Sequence, residues 1–153
     1  MGKTPPEIRH NYPYFVDITT RWKDNDVYGH INNVTYYSYF DTAANTYLIE
    51  EGGLHIYESP VIGVAVESKC SYHSPLAYPD AIEAGLRADH VGNRSVTYGI
   101  GIFKKGQEHA AANGYFVHVF VDRETMKPAP IPDPIRTALQ RLRIPVDGAE
   151  VET

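Results

Sequence analysis

One segment of this chain repeats at helical spacing, and the long run of segments that follows it repeats at two. From Asn33 to about Glu51 the apolar side chains fall at Val34, Tyr37, Phe40, Ala44, Tyr47 and Leu48, which line one helical face. The Asn pair opening this run is good N-cap chemistry, and Gly52-Gly53 supplies a stop. Beyond it Ile62, Val64, Val66, Ser68, Cys70 and Tyr72 alternate with Gly63, Ala65, Glu67, Lys69, Ser71 and His73. Segments 80–91, 95–104 and 109–121 alternate similarly, with turn signals at Pro75 to Pro79, Gly92-Asn93 and Lys105-Gly106. Residues 14–22, rich in β-branched and aromatic types, read as a first strand, and a short helix at about 133–143 follows the proline-rich stretch 127–134. The pattern predicts an α+β domain of one strand, one long helix and four more strands, antiparallel because the connections are short. So apolar a helix should be wrapped by the sheet, and an open sheet edge suggests pairing with a second copy.

Composition narrows the class. The 153 residues suit a single domain spanning 1–153, with its core at about 14–135 and polar, loose ends at 1–10 and 145–153. A net charge of −5 without a basic run argues against a general nucleic-acid surface. The longest apolar stretches fall far short of a membrane span, and MGKTPPEIRHNYPY lacks a signal-peptide core, so a cytoplasmic protein is expected. The single cysteine, Cys70, excludes an internal disulfide and reads as a small buried hydrophobe. Seven histidines form no tight ligand pair, so no metal is expected, and no cofactor. No serine sits in a G-x-S-x-G elbow. G-I-G at 99–101 lies inside a strand pattern, where it would let another backbone pack close rather than bind a dinucleotide.

The chemistry concentrates in "RWKDNDVYGHINNVTYYSYFD", residues 21–41. Asp and Asn ahead of a helix commonly cap it and do nothing else. A carboxylate held there can also do work, because the free N–H groups of a helix N-terminus stabilise negative charge. Gly29 allows a tight turn and a close approach to a substrate, and His30 and Asn32 would orient the loop or line a pocket. Asp24 is the rival carboxylate, expected to support the loop, and Asp41 is expected to make a surface or interface contact.

At this point the chain resembles the hydroxybenzoyl-CoA thioesterase family of the hotdog-fold superfamily. "DNDVYGHINNVTYYSYFDTA" is similar to its D-x-D-x-x-G-H-x-N-N-x-x-Y signature, and "YHSPLAYPDAIEAGLRADHVGNRSVTYGIGIF" and "GYFVHVFVDRETMKPAPIP" resemble its strands and proline-containing tail, over about 14–135. The resemblance implies a five-stranded antiparallel sheet wrapped around one long helix. It also implies a homodimer or dimer of dimers with active sites at the interface, and hydrolysis of an acyl-CoA or acyl-carrier thioester. It assigns Asp26 as nucleophile or general base and the Asn33 backbone N–H as oxyanion donor. Tyr36 belongs to an aromatic run that could line the acyl channel, and His73 ends a strand where pockets open in this fold. Among Arg87, Arg94, Lys104, Lys105 and Arg123, Arg94 is the best candidate for the CoA phosphates. Two competing functions stay open: a hotdog thioester hydratase or dehydratase, and a non-catalytic thioester-binding dimer.

Overall fold

Helix α1 (Thr35–Glu50) turns Tyr36, Tyr39, Phe40, Ala43, Ala44 and Leu48 inward, and a curved sheet closes over them. The computed structural model describes residues 4–144; the expectation for 145–153 lies outside the described residues. The strands are β1 (Tyr14–Ile18), β2 (Val61–Tyr72), β3 (Ile82–Val91), β4 (Ser95–Lys104) and β5 (Ala112–Asp122), and a second helix, α2 (Asp133–Gln140), follows. All pairings are antiparallel, in the order β1-β3-β4-β5-β2. One long helix wrapped by one such sheet is the hotdog arrangement. It buries the apolar helix face and the inner sheet face against each other, and Leu86, Ile100, Ile102 and Phe120 are fully covered there.

Several boundaries differ from the sequence pattern. The first strand ends at Ile18, and Trp22–Asp24 forms a 3-10 turn, because the Asp24 carboxylate takes the Arg21 N–H at 3.0 Å. Helix α1 begins at Thr35 rather than Asn33. The Asn32 side chain accepts the Val34 N–H at 3.1 Å and draws the Asn pair into the turn before the helix. β2 and β3, joined by a short connection, are not neighbours: β2 crosses to pair with β5, and the two lie at opposite sides of the sheet.

The described part of the N-terminal segment is docked rather than loose. Arg9 N–H donates to the Glu108 carbonyl, Ala110 N–H donates to the Glu7 carbonyl, and Tyr12 packs on the outer sheet face. There a Cβ on Gly85 or Gly101 would strike the Tyr12 ring, so these glycines make room for an aromatic side chain. Gly99 lies under the Arg87 guanidinium. G-I-G therefore admits side chains, not another backbone.

His118 on β5 is enclosed by Tyr98, Phe116 and Phe120, with its Nδ1 3.0 Å from the Tyr98 hydroxyl. Burial pushes its pKa down to about 4, so it folds neutral. The unfolded chain binds this proton near 6.5 and the folded chain does not, so stability falls as pH drops from about 6.5 to 4. The expected loss from this group is on the order of 3 kcal/mol. Urea midpoints at pH 7 and pH 4.5 measure it, and His118→Gln should flatten that part of the slope.

Candidate active site

The loop between β1 and α1 is built on a buried acid. Asp24 is 2% exposed, and its carboxylate accepts the Tyr39 hydroxyl at 2.7 Å, the Arg21 N–H at 3.0 Å and the Arg21 guanidinium at 3.2 Å. Its carbonyl accepts the Asn32 N–H at 2.9 Å. Such a carboxylate is tolerable in the core because each contact is a hydrogen bond, two of them from its own turn. Burial and then the bond to Asp24 push the Tyr39 pKa up, so the phenol stays a donor. The loop is thereby tied to α1 one turn inside the helix.

Further ties fix the loop's far side. Asn25 Oδ1 accepts the Tyr78 N–H at 2.9 Å, and Ile31 N–H donates to the Leu76 carbonyl at 2.8 Å. Between these anchors the chain reverses. Asp26 N–H donates to the His30 carbonyl, Gly29 N–H donates to the Asp26 carbonyl, and Gly29 adopts φ +84°. No atom lies within 4 Å of a Cβ placed there, so the conformation, not crowding, calls for glycine.

Asp26 Oδ1 accepts the Tyr28 N–H at 2.9 Å, which sets the carboxylate's direction. Among the described residues Oδ2 has no hydrogen-bond partner, and the side chain is only half-buried. At the helix end, the Val34 N–H is taken by Asn32, and Asn33 N–H has no acceptor among the described residues. The Tyr72 hydroxyl donates to the Asn33 carbonyl at 2.9 Å, which pins that peptide to β2. An ionisable oxygen and a free amide thus belong to one rigidly held loop. In chemical terms, such an oxygen can act as base or nucleophile and such an amide as an anion donor.

The other expected residues divide. His30 is exposed, lending its carbonyl to the turn, and Asn32 orients the loop through its own side chain. Tyr36 is 3% exposed and packs on Tyr39 and Tyr72; burial pushes its pKa up to about 12. His73 lines a cavity of about 440 Å³ with Pro6, Ser74, Lys104, Gln107 and His109. Its tautomer is determined: Asn113 Oδ1 already accepts the Glu7 N–H, so His73 Nε2, 3.0 Å away, must donate.

Arg94 lies elsewhere. It precedes β4, whereas the Asn33 end of the helix meets Tyr72, which lies in register with Ala112 and, beyond it, Ile102 at the other end of the sheet. Seven strand steps from Ser95 to Ile102 separate the two by roughly 24 Å. One chain does not bring Arg94 to Asp26. Of the other cations considered, Arg87 pairs with Asp89 and Glu7, Lys104 with Asp80 and Lys105 with Asp17, while Arg123 holds the Ile56 and Ser59 carbonyls.

Sequence reasoning missed three supports: Tyr39 for Asp24, Tyr72 for Asn33 and Asn113 for His73. Tyr39 shares the inward helix face, which is a usable signal, but the other two act across 39 and 40 residues and leave no local trace. Cys70 lies beside Tyr72 with its thiol pushed up to about 11 by burial, so it is protonated at neutral pH. Among the described residues no three His, Cys, Asp or Glu side chains converge, and no helix is long and apolar enough to cross a membrane.

The thioesterase-like superfamily profile matches residues 20–139. The chain is 53% identical to the PA5185 protein of Pseudomonas aeruginosa, with a TM-score of 0.90 over 91% of this chain and 97% of that one. A Thermus thermophilus thioesterase complexed with coenzyme A and Zn is 26% identical, with a TM-score of 0.71 over 84% of this chain and 98% of the other. A 1,4-dihydroxy-2-naphthoyl-CoA thioesterase from Synechocystis, 18% identical with a TM-score of 0.74 over 86% and 98% of the two chains, shares the fold. No curated protein gives a significant match.

Replacing Tyr39 by Phe leaves the Asp24 carboxylate buried with one acceptor site unfilled. The expected cost is about 1.5–3 kcal/mol, read as a lowered urea midpoint.

Proposed function

The chain belongs to the thioesterase-like superfamily, and from that membership we propose that it hydrolyses an acyl-CoA thioester to a free acid and CoA. The narrower resemblance, to hydroxybenzoyl-CoA thioesterases, rests on the signature at residues 24–36. The observation that carries the proposal is one loop that holds both an open Asp26 oxygen and a free Asn33 amide, with Asp24, Asn25 and Asn32 committed to anchoring it. The coenzyme A bound to the Thermus thermophilus thioesterase supports a CoA thioester as the substrate class.

The chemistry follows from the two groups. Asn33 N–H donates to the thioester carbonyl oxygen and holds the negative charge of the tetrahedral intermediate. Asp26 either takes a proton from an attacking water or attacks the carbonyl carbon itself, forming an anhydride that water then opens. In both routes the C–S bond breaks, CoA leaves as the thiolate, and an oxygen from water ends in the acid. Gly29 lets the loop approach the substrate. His30, Asn32 and Tyr36 shape the entrance and the acyl wall, and His73 and Arg94 serve the rest of the ligand. The working unit is a homodimer or a dimer of dimers.

Asp26→Asn tests the assignment. Asparagine keeps the oxygen that accepts the Tyr28 N–H, so the fold and its urea midpoint should stay unchanged. Turnover of the best substrate in an acyl-CoA panel should fall about 10²–10⁴-fold by thiol release. Wild-type rates in this variant would overturn the assignment. Loss of an enoyl chromophore without thiol release would instead indicate a hydratase, and no reaction with any acyl group a binding protein.

A further inference from the structure

The segment that follows β2 serves two neighbours. Toward α1, the Tyr72 hydroxyl donates to the Asn33 carbonyl, Ile31 N–H donates to the Leu76 carbonyl, and Tyr78 N–H donates to Asn25 Oδ1. Residues 72–78 thereby hold the loop that carries Asp26 and Asn33 at three points. The same segment lines the cavity of about 440 Å³ with His73, Ser74, Pro75 and Leu76. Lys104, Gln107 and His109 enter it from the end of β4 and the connection to β5, and Pro6 from the docked N-terminal segment. Neither Asp26, Asn33 nor any other residue of the loop lines it. Successive side chains of an extended chain point opposite ways. Tyr72 turns to Tyr36 and the helix end, and His73 turns to Asn113. The cavity is therefore separate from the candidate active site and shares one structural wall with it.

Its polar side chains are uncommitted. Among the described residues Ser74 Oγ, the Gln107 amide and the His109 ring make no hydrogen bond, and His73, having given Nε2 to Asn113, keeps Nδ1 free. Lys104 has only Asp80, at 3.7 Å. The neighbouring cations are spent: Arg9 holds Glu83 and the Gln107 carbonyl, and Arg87 holds Glu7 and Asp89. A volume of this size falls in the range of roughly 300–1,000 Å³ common for small-molecule sites, where a few convergent polar groups meet apolar walls.

Charge and surface define what fits. Lys104 is the one ammonium or guanidinium in the lining, and Asp80 offsets part of its charge. The remaining donors are an amide, a hydroxyl and imidazole, so the site suits one negative charge better than the two of a phosphate. Leu76, Ala110, Ala111 and the rings of Pro6 and Pro75 supply apolar surface for a carbon body. A ligand pressed against His73 and Leu76 also bears on the backbone that Asn33 and Ile31 lean on, which couples the two places.

We propose that this cavity binds a small monocarboxylate with an apolar body, and that its occupancy alters the loop holding Asp26 and Asn33 through residues 72–78. The cavity's chemistry stands without the thioesterase function; only the identity of a natural ligand, the free acid that the reaction would release, rests on it.

Benzoate is the probe. In an amide NMR titration it should shift Ser74, Gln107, His109 and Ala111 saturably, and Ile31 and Asn33 with the same dissociation constant. Lys104→Gln should raise that constant about tenfold or more, and His109→Gln should raise it as well, with urea midpoints unchanged. In thiol-release assays benzoate should lower kcat without raising KM, and Lys104→Gln should lose this inhibition. Shifts confined to residues 24–36, inhibition that only raises KM, or binding indifferent to Lys104→Gln would overturn the second site. Inorganic phosphate binding as tightly as benzoate would overturn the carboxylate assignment, and cavity shifts without Ile31 and Asn33 would remove the coupling. If the wild type releases no thiol from any acyl-CoA, the catalytic function fails while the titration still decides the cavity and its coupling.

Discussion

Helix α1 carries aromatic and aliphatic side chains around so much of its circumference that it must be enclosed. Phe40, Ala43, Ala44 and Leu48 are fully covered, and the sheet curves to do it. Enclosure also positions the helix ends. Its N-terminus arrives where β2 finishes and the loop from β1 crosses, so an unpaired backbone N–H is delivered to a seam between elements. The site follows from how the core is closed.

Two carboxylates two residues apart have been given opposite surroundings. Asp24 is sealed in and spends its oxygens on Tyr39 and Arg21; Asp26 faces outward with one oxygen steered by a backbone amide and the other open. The first kind of environment makes an anchor, and the second leaves an oxygen able to accept a proton or form a bond. The anchor matters to the open group, because every loop hydrogen bond that aims Asp26 runs between points held by Asp24, Asn25 and Ile31.

β2 is an open edge of the sheet, and its middle is exposed. The outward face of β2 presents a carboxylate and an ammonium group on a strand whose far side has no neighbour, and the two most exposed apolar clusters sit at its opposite ends.

The elements were legible in the sequence because their signals are local. A period of 3.6 marks α1, a period of two marks the strands, and Gly92-Asn93 and Lys105-Gly106 mark their turns. The polar knot at 21–41 was equally plain, since its composition alone sets it apart. Its internal division of labour was legible only through the signature, which pointed to Asp26 and left Asp24 to support the loop. The physical difference between them appears only when α1 packs and Tyr39 turns its hydroxyl toward Asp24. Nor does local sequence say that β2 pairs with β5, that Tyr72 reaches Asn33, or that Asn113 sets the proton on His73. By itself the sequence determined which segments curl, which extend and where the polar groups gather, because backbone preference and side-chain period act over a few residues. Tertiary structure decided which acid is buried and which amide is left free, because those depend on what distant segments bring within hydrogen-bonding reach.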